Sequence, residues 1–96
     1  MNDAQIKYFL AAAKYENFTK AAEVLFTSQP VVGRHISNLE DELGVELFTR
    51  ERKSVRLTEN GRILEEFFRE CSEKFSAAMD KIHMNQRSSS LKLLLG

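Results

Sequence analysis

The segment SQPVVGRHI, residues 28–36, brings together Ser28, Gln29, Arg34 and His35, four side chains that can donate hydrogen bonds, with no carboxylate among them. A second concentration follows in TRERKSVR, residues 49–56, where Arg50, Arg52, Lys53 and Arg56 meet Glu51 alone, a local excess of three positive charges. Such donors suit the holding of an anion rather than the making or breaking of bonds. Around the two histidines, His35 and His83, no nucleophile, base and orienting group assemble, and the chain carries neither a phosphate-cradling glycine loop nor a metal-ligand spacing. A binding protein is expected, not an enzyme, and with no cofactor or metal.

The elements that position these groups read as helices with one interruption. From Asp3 onward Ile6, Phe9, Leu10 and Ala13 recur at helical spacing, which predicts a first amphipathic helix ending near Glu16 and Asn17. Thr19 is the expected N-cap of a short second helix, with Ala22 and Leu25 inward and Phe18 plugging the core ahead of the cap. Ser28 then caps a third helix. Pro30 falls in its first turn, where a missing amide hydrogen costs little because those donors have no partner within the helix. Val32, Ile36, Leu39 and Leu43 share one face, and Gly44 provides the stop. With that face inward, rotation at about 100° per residue points Arg34 outward among Pro30, Ser37, Asn38 and Asp41, and leaves Gly33 and His35 on the two shoulders. The acids Glu40, Asp41 and Glu42 collect at the far end, so the positive end of the helix dipole and the basic side chains sit together.

Two short helices, a tight turn and a third helix with an outward polar face make a helix-turn-helix, an arrangement that also serves packing alone. After Gly44, VELFTRERKSVRLT anchors on Leu47 and Phe48 and alternates through Val55, Arg56 and Leu57, which predicts a short hairpin with a basic tip: a wing. Lys plus Arg and Asp plus Glu both number 14 in these 96 residues, so the basic hairpin reflects segregation of charge within a neutral chain. One domain is the expectation at this length. A single cysteine, Cys71, and a polar N-terminus favour a cytoplasmic protein over a secreted or membrane-bound one.

Residues 17–61, NFTKAAEVLFTSQPVVGRHISNLEDELGVELFTRERKSVRLTENG, closely resemble the DNA-binding region of LysR-type transcriptional regulators. The shared features are the F-T-x-A-A-x-x-L run, the S-Q-P opening, L-E-x-x-L-G-V-x-L-F, and V-R-L-T-x-x-G, in order and with unbroken spacing. The resemblance implies a mainly α fold, a winged helix-turn-helix followed by a long dimerisation (linker) helix, and sequence-specific binding of double-stranded DNA by a dimeric bacterial regulator. It implies base contacts from Gln29, Pro30, Gly33 and Arg34 in the major groove, phosphate contacts from Ser28 and Ser37, and contacts from Arg50, Arg52 and Lys53 of the wing. The chain departs from the family at two places: serine is common where it has Gly33, and glutamine where it has His35. A winged helix used for protein–protein contact is the alternative function.

Thr58 is an expected N-cap for one long helix over residues 59–87. Along it Leu64, Phe68, Cys71, Phe75, Ala78 and Ile82 repeat at alternating intervals of four and three, a coiled-coil seam that an isolated chain leaves wet, so a homodimer is expected. Ile63 and Phe67 form a second stripe able to fold back on the winged domain, and Cys71 and Met79 read as packing residues. The tail, QRSSSLKLLLG, is a polar break followed by a strand-like apolar run. The expected organisation is 1–57 winged helix-turn-helix, 58–87 linker helix, and 88–96 the start of a missing effector-binding domain, through which alone a small-molecule effector would act.

Overall fold

The computed structural model describes residues 1–51 and 55–95, with side chains as far as 87. The elements run α1 (Asp3–Tyr15), α2 (Phe18–Val24), α3 (Gln29–Leu43), β1 (Phe48–Arg50), β2 (Val55–Leu57) and α4 (Glu59–Leu95). The chain divides into two compact units, Met1–Glu65 and Glu66–Gly96.

In the first unit α1, α2 and α3 pack on one another. Asn2 starts α1 with a capping box: its Oδ1 accepts from the Gln5 amide at 2.9 Å, and Gln5 Oε1 accepts from the Asn2 amide at 2.9 Å. Glu16 ends the helix in the left-handed region, φ 48°. The buried stripe is Gln5, Phe9, Ala12 and Ala13; Ile6 is half-buried and Leu10 exposed, so the helix is rotated from the expected Ile6–Phe9–Leu10–Ala13 setting. The reason is packing: α1 rests on α2, and the small side chains Ala12 and Ala13 of α1 and Ala21 and Ala22 of α2 are the buried ones, where a face led by Leu10 would need more room. The cap of α2 is Asn17, whose Oδ1 accepts from the Lys20 amide at 2.9 Å, and Thr19 lies exposed inside the helix. Val32, Ile36 and Leu39 of α3 are fully buried as expected, whereas Leu43 is exposed, because Gly44 (φ 72°) turns the chain away one residue later.

Leu47 and Phe48 complete this core. The Phe48 ring sits 5.7 Å from Phe9 and 5.6 Å, edge-on, from Phe18, so that β1 is pinned to both α1 and α2. β1 and β2 are antiparallel, with Phe48 opposite Leu57, Thr49 opposite Arg56 and Arg50 opposite Val55. A two-stranded ribbon is marginal alone. Here it is held at its base: the Thr58 amide donates to Leu47 O at 2.9 Å and the Thr58 hydroxyl to Glu46 O at 2.6 Å. Thr58 Oγ1 also accepts from the Gly61 amide at 3.0 Å, making Thr58 the expected cap of α4. Gly61 is buried against the strand, and a Cβ on it would stand 2.2 Å from Leu47 O.

That contact decides which face of α4 turns inward within the first unit. Gly61 is buried and Leu64 and Glu65 are half-buried, while Ile63 is 63% exposed and so does not face the core of this unit. In the second unit Cys71, Phe75, Ala78 and Ile82 are exposed, Phe68 and Met79 half-buried, and Phe67 exposed with its ring 5.4 Å from Phe68. Glu66 and Arg69 form an ion pair one turn apart. The helix continues past residue 87 to Leu95, so the tail is helical rather than strand-like. A lone extended segment has no partner for its backbone groups, and the helix pairs them internally. No helix among the described residues is long and apolar enough to cross a membrane.

Gly61→Ala must push the first turn of α4 off the Leu47 carbonyl. We expect a loss of about 1 to 3 kcal/mol of stability, read as a lower midpoint of thermal unfolding followed by circular dichroism.

Candidate nucleic-acid interface

The turn between α2 and α3 is closed by backbone bonds from the Thr27 amide to Ala22 O (2.9 Å) and from the Phe26 amide to Glu23 O (3.3 Å). This is a Schellman closure with Phe26 at the left-handed position, φ 56°, where glycine is usual. Phe26 is 97% exposed. Ser28 follows in extended conformation as the N-cap of α3, but its side chain makes no capping bond. Its hydroxyl is therefore not committed to the helix end.

The next turns present the expected surface. Gln29, Pro30, Arg34 and Asn38 are exposed, and Gly33 and Ser37 are half-buried at its edge. Gln29 and Arg34 thus project donors and an acceptor from the amino-terminal half of the helix, at the positive end of its dipole. His35 points elsewhere: its ring stacks on Tyr8 at 4.4 Å and 22°, joining α3 to α1. The shoulder position read from the sequence is a packing position.

Ser37 and Arg50 come together, and the residue that joins them is Glu40. Arg50 Nη2 donates to Ser37 Oγ at 3.1 Å and to Glu40 Oε1 at 2.9 Å. The other carboxylate oxygen, Oε2, accepts from the Leu47 amide at 2.8 Å and the Phe48 amide at 3.3 Å. Glu40's side chain is only 11% exposed, while Arg50's is half exposed and lies 5.9 Å from the Phe18 ring centre. One carboxylate therefore anchors the start of β1 and orients the cation at its end. The sequence pattern grouped Glu40 with Asp41 and Glu42 as acids gathered at the far end of the helix. The overlooked signal is its spacing, four residues after buried Ile36, which turns it toward the core side. Arg56 is exposed on β2, opposite Thr49. Arg52 and Lys53 lie outside the described residues.

Residues 4–62 match the bacterial regulatory helix-turn-helix protein family described as the lysR family. The chain is 39% identical over 87 residues to the HTH-type transcriptional regulator CitR of Bacillus subtilis (strain 168), covering 91% of this chain and 30% of that protein. Among solved structures, the DNA-binding domain of CbnR in complex with DNA is similar at TM-score 0.74 and 36% identity, covering 84% of this chain and 93% of that one. The DNA-binding domain of BenM bound to benA site 1 DNA is similar at TM-score 0.71 and 32% identity, covering 94% and 98%. The chain spans about three tenths of the length of curated relatives that it matches.

Replacing Glu40 by alanine leaves the Leu47 and Phe48 amides without their acceptor. The expected cost is about 1 to 3 kcal/mol in chemical denaturation, with faster hydrogen exchange at the Leu47 amide; the neighbouring exposed Asp41→Ala should stay within about 0.5 kcal/mol of the parent.

Proposed function

The chain belongs to the lysR family of bacterial regulatory helix-turn-helix proteins, and from that premise we propose that it binds double-stranded DNA as the operator-reading part of a cytoplasmic transcription regulator. α3 enters the major groove and the wing meets the flanking backbone or minor groove. The observation that carries this reading is the acid-free exposed surface of Gln29, Pro30 and Arg34, held at a fixed distance from a basic hairpin by Glu40. The resemblance to CbnR and BenM domains in complex with DNA supports it.

The residues divide by role. Gln29 and Arg34 read base edges, an amide matching adenine and a guanidinium matching guanine, with Pro30 and Gly33 in contact beside them. Ser28 and Ser37 hold phosphates: the uncommitted hydroxyl of Ser28 is available as a donor, and Ser37, which accepts from Arg50 through its oxygen, keeps its own O–H to give. Arg50, Arg52 and Lys53 add electrostatic attraction. Because Glu40 neutralises part of Arg50, the tip residues Arg52 and Lys53 carry more of the dependence on salt. Two chains pair through Leu64, Phe68, Cys71, Phe75, Ala78 and Ile82 of α4, so that residues 1–57 read DNA and 58–87 link the readers. Any small-molecule effector acts on a part of such regulators that these 96 residues do not span.

Duplex affinity should fall steeply as salt rises. Arg34→Ala is expected to cost about 1 to 3 kcal/mol on the selected operator and little on random duplex, whereas Lys53→Ala weakens both alike. Titration of labelled duplexes by fluorescence anisotropy measures this. A shallow salt slope, or no duplex affinity, would favour a protein-contact module instead. For the pairing, Phe75→Glu should convert a dimer to a monomer in sedimentation analysis while leaving the helical signal of the first unit in place.

A further inference from the structure

Three glycines lie within the described helices and turns, and the fold accounts for two of them. Gly44 adopts φ 72°, and Gly61 has a carbonyl where a side chain would be. Gly33 has neither reason. It sits inside α3, where glycine is the least favoured residue after proline because it has the most backbone freedom to lose. A Cβ built on it would meet only Phe18 Cδ2, at 4.0 Å, an ordinary van der Waals contact. Alanine or serine would fit the fold and favour the helix. The explanation for Gly33 must lie outside the fold, on the surface it borders.

What the missing side chain leaves is room for a methyl group beside one aromatic carbon of Phe18, at a half-buried position next to Arg34 in sequence. It offers no hydrogen-bonding group, so it cannot read a polar base edge. The major-groove edges of base pairs carry one protruding apolar group, the C5 methyl of thymine. We propose that Gly33 is a specificity-determining residue, and that the C5 methyl of one thymine in each half-site takes the space beside Phe18 that a side chain here would occupy. This inference rests on the DNA-binding reading given above. It makes Gly33 a reader by shape, beside Gln29 and Arg34 as readers by hydrogen bonding.

The test uses the full chain. Tight-binding duplexes are selected from a random library, and each thymine in the selected site is then replaced in turn by deoxyuridine, which removes the methyl group and nothing else. At one thymine per half-site the parent protein should lose about three- to fivefold in affinity, the worth of about one buried methyl group. Gly33→Ala, whose own methyl takes that space, should bind the thymine and deoxyuridine duplexes within about twofold of each other, and should melt at or above the parent temperature. Equal losses in parent and variant, or no thymine whose methyl matters, overturn the proposal. If salt-dependent duplex binding persists in that outcome, only the role of Gly33 has failed; if neither protein binds any duplex, the DNA reading has failed and the proposal with it.

Discussion

The Glu40 carboxylate is the constraint on which the arrangement of α3 and the ribbon turns: both of its oxygens are used, one on the Leu47 and Phe48 amides and one on Arg50. A ribbon of two three-residue strands has too few ladder bonds to hold itself in place. Its position relative to α3 is set instead by this carboxylate at one side and by Phe48 wedged against Phe9 and Phe18 at the other. A nearly buried acid is costly unless both of its oxygens are matched by donors. Two amides and a guanidinium supply the match, and in doing so they convert a helix end into a fixed platform for the hairpin.

Around that platform the first unit separates the residues that hold it from those that look outward. The inward set is small: Phe9, Ala12, Ala21, Val32, Ile36, Leu39, Leu47 and Phe48 are nearly or wholly inaccessible to water. Gln29, Pro30 and Arg34 contribute nothing visible to that core. Substitution on this exposed surface can therefore be made without dismantling the scaffold, and His35 is the exception because its ring is bound up with Tyr8.

Local signals made much of this legible from the amino-acid order. Pro30 and Gly44 bracket α3, the Val32–Ile36–Leu39 stripe fixes its buried face, Thr58 starts α4, and the alternation around Val55 and Leu57 marks the ribbon. Where the reading slipped, two neighbouring answers had similar local merit. Asn17 and Thr19 are both good caps, and only the chain path chooses Asn17. Leu10 and Ala12 can both lie inward on a helix, and packing against α2 and α3 decides for the alanine. Glu40 and Gly61 were illegible for a different reason. Their partners, the Leu47 amide and the Leu47 carbonyl, are backbone groups, which leave no mark in a pattern of side chains. The helical course of the tail to Leu95 likewise follows from backbone pairing rather than from apolar alternation.

The ties between α3 and the ribbon are also close along the chain. Glu40 reaches Leu47 across a separation of 7 residues, Arg50 reaches Glu40 across 10 and Ser37 across 13, and Thr58 reaches Glu46 across 12. Short loops cost little entropy to close, and folding speeds up as contacts become more local. Once α3 has formed, these bonds can therefore tie the ribbon to it early, and the longer-range packing of Phe48 on Phe9 and Phe18 then completes its seat.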